Sequence, residues 1–223
     1  MSAFPDSPVS PSQFMEEVVP ALFEAAAKPS EAGDIDLRIG VLIAGDEGGE
    51  WVMHLSAGAL AIESGSRADA SFTVVQTVAD WRGALWEGRG GVVGETAAML
   101  FRQGGAPAGA DASGLPGGAP DPVVLAQLEA LNGLIQVVVT GGDGGDWATG
   151  IKFGPGDVPE EPTTTVQISD EDARAMQSGE LDAMQAFLGG KIAVSGDMGL
   201  MMQMQAVLMQ AAAAAAAKAR GGA

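Results

Sequence analysis

One pattern occurs twice in this chain, and it limits the fold more than any single motif does. In each copy an apolar, β-branched run leads into a tight glycine turn and then into a returning strand opened by tryptophan. The first copy is Ile39 to Ile43 followed by Gly45-Asp46-Glu47-Gly48-Gly49-Glu50-Trp51. The second is Leu134 to Val139 followed by Gly142-Asp143-Gly144-Gly145-Asp146-Trp147. Alternating apolar runs joined by glycine turns predict β-hairpins. The order of the next elements agrees as well. A strand from Ala70 to Val75 runs to Thr77, with Asp80 three residues on, and Thr164 to Ile168 runs to Ser169, with Asp172 three residues on. Thr77 and Ser169 predict helix N-caps, because a hydroxyl there satisfies a free helix N–H. The acids three positions later stand where a capping box puts them, near the positive end of the helix dipole. Asp170, Glu171 and Asp172 therefore read as dipole complements and not as a metal cluster. Both helices are expected to stop at a glycine, Gly88 and Gly179.

Each copy is also preceded by a helical pattern. Ser10-Pro11-Ser12-Gln13 offers a cap, a proline at the first helical position and a capping-box glutamine, with Phe14, Val18, Leu22 and Phe23 at helical spacing. Asp121-Pro122 opens a second such run through Val124, Leu125, Leu128 and Leu131. Helix, meander, helix implies an α+β fold. Between the copies, Gly104 to Pro122 is Gly, Ala and Pro without hydrophobic periodicity, the composition of a linker. The expected organisation is a disordered tail over 1–11, a first half over 12–104, a linker over 105–121, a second half over 122–217 and a frayed end over 218–223.

Composition removes several classes of function. The chain has 223 residues, no cysteine and one histidine, His54, so disulfides, thiolate metal sites and His-pair metal sites are out. With 11 basic and 29 acidic residues, a nucleic-acid backbone or an anionic membrane is a poor partner. The first residues carry no basic, apolar leader, and no run is long enough to span a bilayer, so a cytoplasmic location is the expectation. No nucleophile elbow is present, and the Gly-Gly pairs at 104–105 and 117–118 do not join a strand to a helix as a phosphate loop must. His54 sits on the strand face opposite Trp51, Met53 and Leu55, which reads as a surface histidine. No catalytic residue, metal ligand or cofactor is expected, and the protein is read as a non-enzyme.

The last segment is the most informative. Lys191 to Ser195 reads as a short strand with Ile192 and Val194 on one face, and Gly196-Asp197 ends it and caps a final helix. That helix is apolar nearly all round and holds five of the 11 methionines between Met198 and Met209. Methionine adapts to irregular apolar shapes, so such a wall suits either a pocket for a greasy ligand or plain core filling.

Ser169-Asp170-Glu171-Asp172 through Gly179, then Ala186-Phe187-Leu188-Gly189-Gly190-Lys191-Ile192-Ala193-Val194-Ser195-Gly196-Asp197-Met198, resembles the sterol carrier protein-2 (SCP-2) family. The likeness is dense over 163–210 and reaches back more weakly to about Val123. It implies an SCP-2-like α+β fold, with a twisted, mostly antiparallel sheet covered by helices on one face, here built from two related halves. It implies an apolar tunnel between sheet and helices for a fatty acid, acyl-CoA or sterol-like lipid. Phe187, Ile192, Met198, Leu200, Met201, Met202, Met204 and Leu208 fall where the tunnel would be lined. Two departures stand out. In the second half, 153–162 is Gly, Pro and acid where a further strand is expected. The first half lacks the Ala-Phe-x-x-Gly-Lys block, and Val92 to Leu100 is at most a cut-down copy of the closing segment. The implied function is binding or carriage of a hydrophobic ligand, with a possible protein partner or homodimer. The alternative is an accessory module whose cavity is filled.

Overall fold

The computed structural model describes residues 4–26, 36–65, 68–91, 94 and 122–221, without the side chains of 177, 183, 208 and 212–221. The chain opens with a helix, α1, that starts as Pro11–Gln13, passes through a π-helical stretch at Phe14–Val18 and continues as Val19–Ala26. Four strands follow: β1 (Asp36–Ala44), β2 (Gly49–Ser56), β3 (Ala59–Ser64) and β4 (Phe72–Thr77). Helix α2 is Val78–Trp86 and α3 is Pro122–Glu129. Then come β5 (Leu134–Thr140), β6 (Trp147–Phe153), β7 (Thr164–Ser169), α4 (Asp170–Ser178), α5 (Ala183–Leu188), β8 (Ile192–Gly196) and α6 (Met198–Gly221).

The local chemistry expected of the caps is present. Ser10 Oγ accepts from the Gln13 amide at 3.2 Å. The Asp80 amide donates to Thr77 Oγ1 at 3.0 Å, and the Asp172 amide donates to Ser169 Oγ at 3.1 Å. Each cap hydroxyl in turn donates to the acid three residues on, at 2.7 and 2.8 Å. Gly179 ends α4 at φ +79, a left-handed conformation that a side chain would strain. Asp197 Oδ1 accepts from the Gly199 and Leu200 amides at 2.7 and 3.3 Å and so starts α6.

All eight strands form one sheet in the order β3-β2-β1-β4-β6-β5-β7-β8. Five of the pairings are antiparallel; β1–β4 and β5–β7 are parallel. The first four strands and the last four thus repeat one motif. A central strand (β1 or β5) pairs antiparallel with the next strand and parallel with the strand that precedes the capped helix. The halves meet where β4 lies antiparallel to β6, from Phe72 opposite Phe153 to Val75 opposite Gly150. No strand forms across 154–163, as the Gly-Pro-acid composition predicts. The comparison of Val92–Leu100 with the closing segment falls almost wholly outside the described residues.

The two tryptophans of the sequence repeat do not occupy equivalent places. Trp51 stands opposite Val41, three residues before the end of β1, whereas Trp147 stands opposite Val139, one residue before the end of β5. The longer turn before β6 accounts for the shift.

Helices cover one face, the one on which Ile43, Trp51, Trp147, Val139 and Ile168 stand. Beneath α1 and α2, Phe14, Trp81 and Trp86 form a T-shaped aromatic cluster with centroids 5.2–5.7 Å apart. For residues 4–11, the described part of the tail expected to be disordered over 1–11, the structure differs. Phe4 is 7% exposed, with its ring centroid 6.0 Å from Phe14 and 5.5 Å from Trp86, and the Trp86 indole donates to the Pro5 carbonyl at 3.0 Å. Three large rings left an apolar surface and a free indole N–H, and the tail covers both.

The reciprocal caps set the first measurement. Ser169→Ala removes the acceptor for the Asp172 amide and should lower stability by about 1 kcal/mol, read as a shift in the urea midpoint with unchanged slope. Thr77→Ala should do the same.

Candidate functional site

The register of the sheet sorts the helix-covered side chains of the second half into rows that cross the strands. One row is Trp147, Val139, Ile168 and Ile192. It is packed under Ala84 of α2 and Ala173 and Met176 of α4. Two residues along each strand, the next row is Thr149, Val137, Val166 and Val194. Two further on come Val74, Ile151, Ile135 and Thr164. There Ile135, with Phe153, is covered by Leu200 of α6, and Leu128 of α3 and Leu131 just after it pack against the same cluster.

The middle row differs from its neighbours. Trp147, Val139, Ile135 and Thr164 are buried, yet Thr149, Val137, Val166 and Val194 are all only half-buried. Ile151, at the end of the adjoining row, is 39% exposed although it points to the helix-covered face. An apolar strip therefore runs across β6, β5, β7 and β8 between the footprints of α4 and α6. With strands ~4.8 Å apart it is on the order of 15 Å long, and one row is ~6.6 Å wide along the strands.

Glycine lets the elements around the strip approach closely. A Cβ on Gly133 would lie 2.6 Å from Leu200 Cδ2, so α6 sits directly on the backbone before β5. Gly90, at φ +85, lies against the Trp147 ring, where a Cβ would be 2.5 Å from it. The Trp147 indole donates to the Asp80 carbonyl at 2.8 Å and fixes the upper end of β6 to α2.

The expected tunnel residues separate into three groups. Leu200 is buried, Met201 and Met204 pack against its cluster, and Ile192 packs beside Val139 and Ile168. These four border the strip. Phe187 and Met198 are each 43% exposed and Met202 is 69% exposed, so they stand on the outer surface with Met184, Leu188 and Met209. The Leu208 side chain lies outside the described residues. The strip residues themselves (Val137, Thr149, Ile151, Val166) escape sequence reading. Their alternation is visible, but only the cross-strand register shows that they align.

A second concavity, of about 340 Å³, lies between α3 and α6 and is lined in part by Gln127, Leu131, Gln203, Val207 and Gln210. Gln127 Oε1 is buried there without a partner. Three glutamines make it a poorer seat for a hydrocarbon than the strip, because buried amides must keep hydrogen bonds.

Polar chemistry is sparse. His54 Nε2 lies 2.7 Å from Asp36 Oδ1 on the uncovered sheet face, far from the strip in register. Among the described residues no group of three or more His, Asp or Glu is placed to hold a metal ion, and no helix is long and apolar enough to cross a membrane. The one perturbed pair is Asp172–Lys191, which ties α4 to the start of β8. The Lys191 ammonium, and then the Ser169 hydroxyl, hold the Asp172 carboxyl below its ordinary value, and Asp172 holds Lys191 above its own.

Known proteins match this region. The description "SCP-2 sterol transfer family" matches residues 115–209. Rabbit (Oryctolagus cuniculus) sterol carrier protein 2 is 30% identical over 90 residues, 37% of this chain and 16% of that protein. Hydroxysteroid dehydrogenase-like protein 2 of Xenopus tropicalis is 33% identical over 88 residues, 37% of this chain and 21% of that protein. The solution structure of the sterol carrier protein domain 2 of Helicoverpa armigera is 30% identical and covers 39% of this chain and 74% of that one, at a TM-score of 0.30. The matched region is a one-sided α+β sheet closed by a final helix, the SCP-2-like fold class. Residues 115–209, less than half of the chain, are similar to the SCP-2 sterol transfer family. It spans only about a fifth or less of the two curated relatives.

The Asp172–Lys191 pair gives a pH prediction. A depressed carboxylate stabilises fully above its ordinary 3.8 and loses the effect as pH falls below it. A raised ammonium stabilises fully below 10.5 and loses the effect as pH rises above it. The stability difference between wild type and Asp172→Asn should be flat between these values and shrink outside them. Urea titrations at a series of pH values check it, and added salt should reduce it throughout.

Proposed function

We propose that this chain binds a hydrophobic ligand of the fatty acid, acyl-CoA or sterol-like class along the Thr149–Val137–Val166–Val194 strip, and carries it without catalysing a reaction. The observation that carries the proposal is the half-buried row lying between two rows whose β5 and β7 members are buried, on the face that helices cover. Such a row is apolar surface that folding has left partly wet, and a ligand chain can finish its burial. The likeness of residues 115–209 to a family described by sterol transfer supports the same reading. Burying ~300 Å² of hydrocarbon is worth about 7 kcal/mol before ordering costs, enough for micromolar binding. Met201 and Met204 at the border suit a ligand of variable shape, because thioether chains repack at low cost.

A second reading has its own observation. Leu200 is wedged against Gly133 and packed with Ile135 and Phe153, so the closing helix fills part of the space that a tunnel would need. On that reading the chain is an accessory or interaction module with an SCP-2-like fold and a filled cavity.

Displacement of a fluorescent fatty acid separates the two. Val166→Trp, which fills the strip, should weaken binding by about tenfold or more, with thermal melts confirming the fold. Met202→Glu, on the exposed side of α6, should bind as wild type does. The reverse pattern would place the ligand outside the strip. Wild-type protein that binds no fatty acid, acyl-CoA or sterol would favour the filled module.

A further inference from the structure

The two halves are incomplete in opposite ways. In the first half the hairpin strand β2 has an outer partner, β3, which pairs with it from Trp51 opposite Ser64 to Ser56 opposite Ala59. In the second half the equivalent strand, β6, is followed by 154–163, which forms no strand. Conversely, β7 has an outer antiparallel partner in β8, whereas no strand follows α2 among the described residues to partner β4. The sheet order brings the two vacant edges together. β4 lies on β6 where β3 lies on β2, and β6 lies on β4 where β8 lies on β7. All three pairings are antiparallel.

We infer that β4 is a donor strand for the C-terminal, SCP-2-like half, and that the β6 edge is a docking surface for the N-terminal half of this same chain. The seam is built for one partner. Besides the register from Phe72–Phe153 to Val75–Gly150, the Gly154 and Gly156 amides donate to the Ser71 and Ala68 carbonyls at 2.8 and 2.9 Å. The Lys152 ammonium, buried at the seam, donates to the Gly154 and Pro155 carbonyls and holds that turn against β4. At the other end Arg89 Nη2 donates to the Asp146 carbonyl at 2.5 Å, and the Ala148 amide faces Asp80 Oδ1 at 3.4 Å. Ala84 of α2 packs into the core of the second half with Val139 and Trp147. Main-chain pairing supplies the attraction and the flanking contacts fix the register, which is the logic of strand addition. The seam also brings Val74 beside Ile151 at the end of the apolar strip, so the N-terminal half completes that region. The inference stands whether or not the strip takes lipid.

The sequence between the halves is the place to test it. A specific protease site inserted between Gly109 and Ala110, in the Gly/Ala/Pro-rich connection, allows the folded full chain to be cut. The two fragments should stay together through size exclusion, with the far-UV spectrum of the uncut chain. Cut protein in natural and ¹⁵N-labelled forms, unfolded together in urea and refolded, should give about half hybrid pairs by native mass spectrometry, as random re-pairing requires. Fragments that separate or precipitate on cutting would overturn the inference. So would fragments that stay together after cutting but yield no hybrids after joint refolding, since the β6 edge would then not be a surface that selects its strand from solution.

Discussion

The antiparallel contact of β4 with β6 turns two groups of four strands into one sheet, and the rest of the structure depends on it. An exposed strand edge is a row of unpaired N–H and C=O groups that invites aggregation. Each half of this chain would present such an edge, the first at β4 and the second at β6. Pairing them satisfies both and leaves β3 and β8 as the outer strands. Short length at β8, five residues, and Glu63 within six-residue β3 fit what outer strands need. The seam also fixes what the helices can cover. With β4 and β6 adjacent, Ala84 of α2 in the first half is buried against Val139 and Trp147 of the second.

Much of this was legible in the residues because it is local chemistry. Thr77 and Ser169 act as caps because a hydroxyl one residue before a helix has one good partner, the amide three positions on. The strand from Ile192, the Asp197 cap and the glycine stops followed from residue type and spacing alone. The doubled pattern lies on two sets of four strands, β1 to β4 and β5 to β8. The seam was not legible. Which edge meets which is decided by strands some 70 residues apart, and no periodicity records that choice. Phe4 was missed for a related reason. A lone aromatic in a short, polar tail looks disordered until Phe14 and Trp86 are known to lie beside it.

The site was legible in kind and not in detail. A helix that is apolar all round carries no moment to say which side is buried, so Met198, Met202 and Met204 looked alike. The structure separates them by angle. Leu200 and Met204, four apart, lie one turn above the other and face the sheet, while Met198 and Met202, also four apart, share the outer side. The residues that make the strip sit on β5, β6 and β7, where the sequence shows only ordinary alternation. Their importance comes from alignment across strands, which is a property of register.

That alignment also explains why the strip survives in a folded chain. Helices are about 10 Å across, and α4 and α6 are each anchored at one end of the strands, by Ala173 and Met176 above and by Leu200 below. Gly133 draws α6 towards the lower end and the Asp172–Lys191 pair holds α4 to the upper end. Neither helix can move to the middle without giving up its own anchor. The row between them is therefore left half-covered by the geometry of its neighbours, and replacing its valines with larger side chains is the local way to close it. The row holds Thr149, Val137, Val166 and Val194, three of them small β-branched hydrocarbons, and none of these side chains is long enough to close the gap by itself.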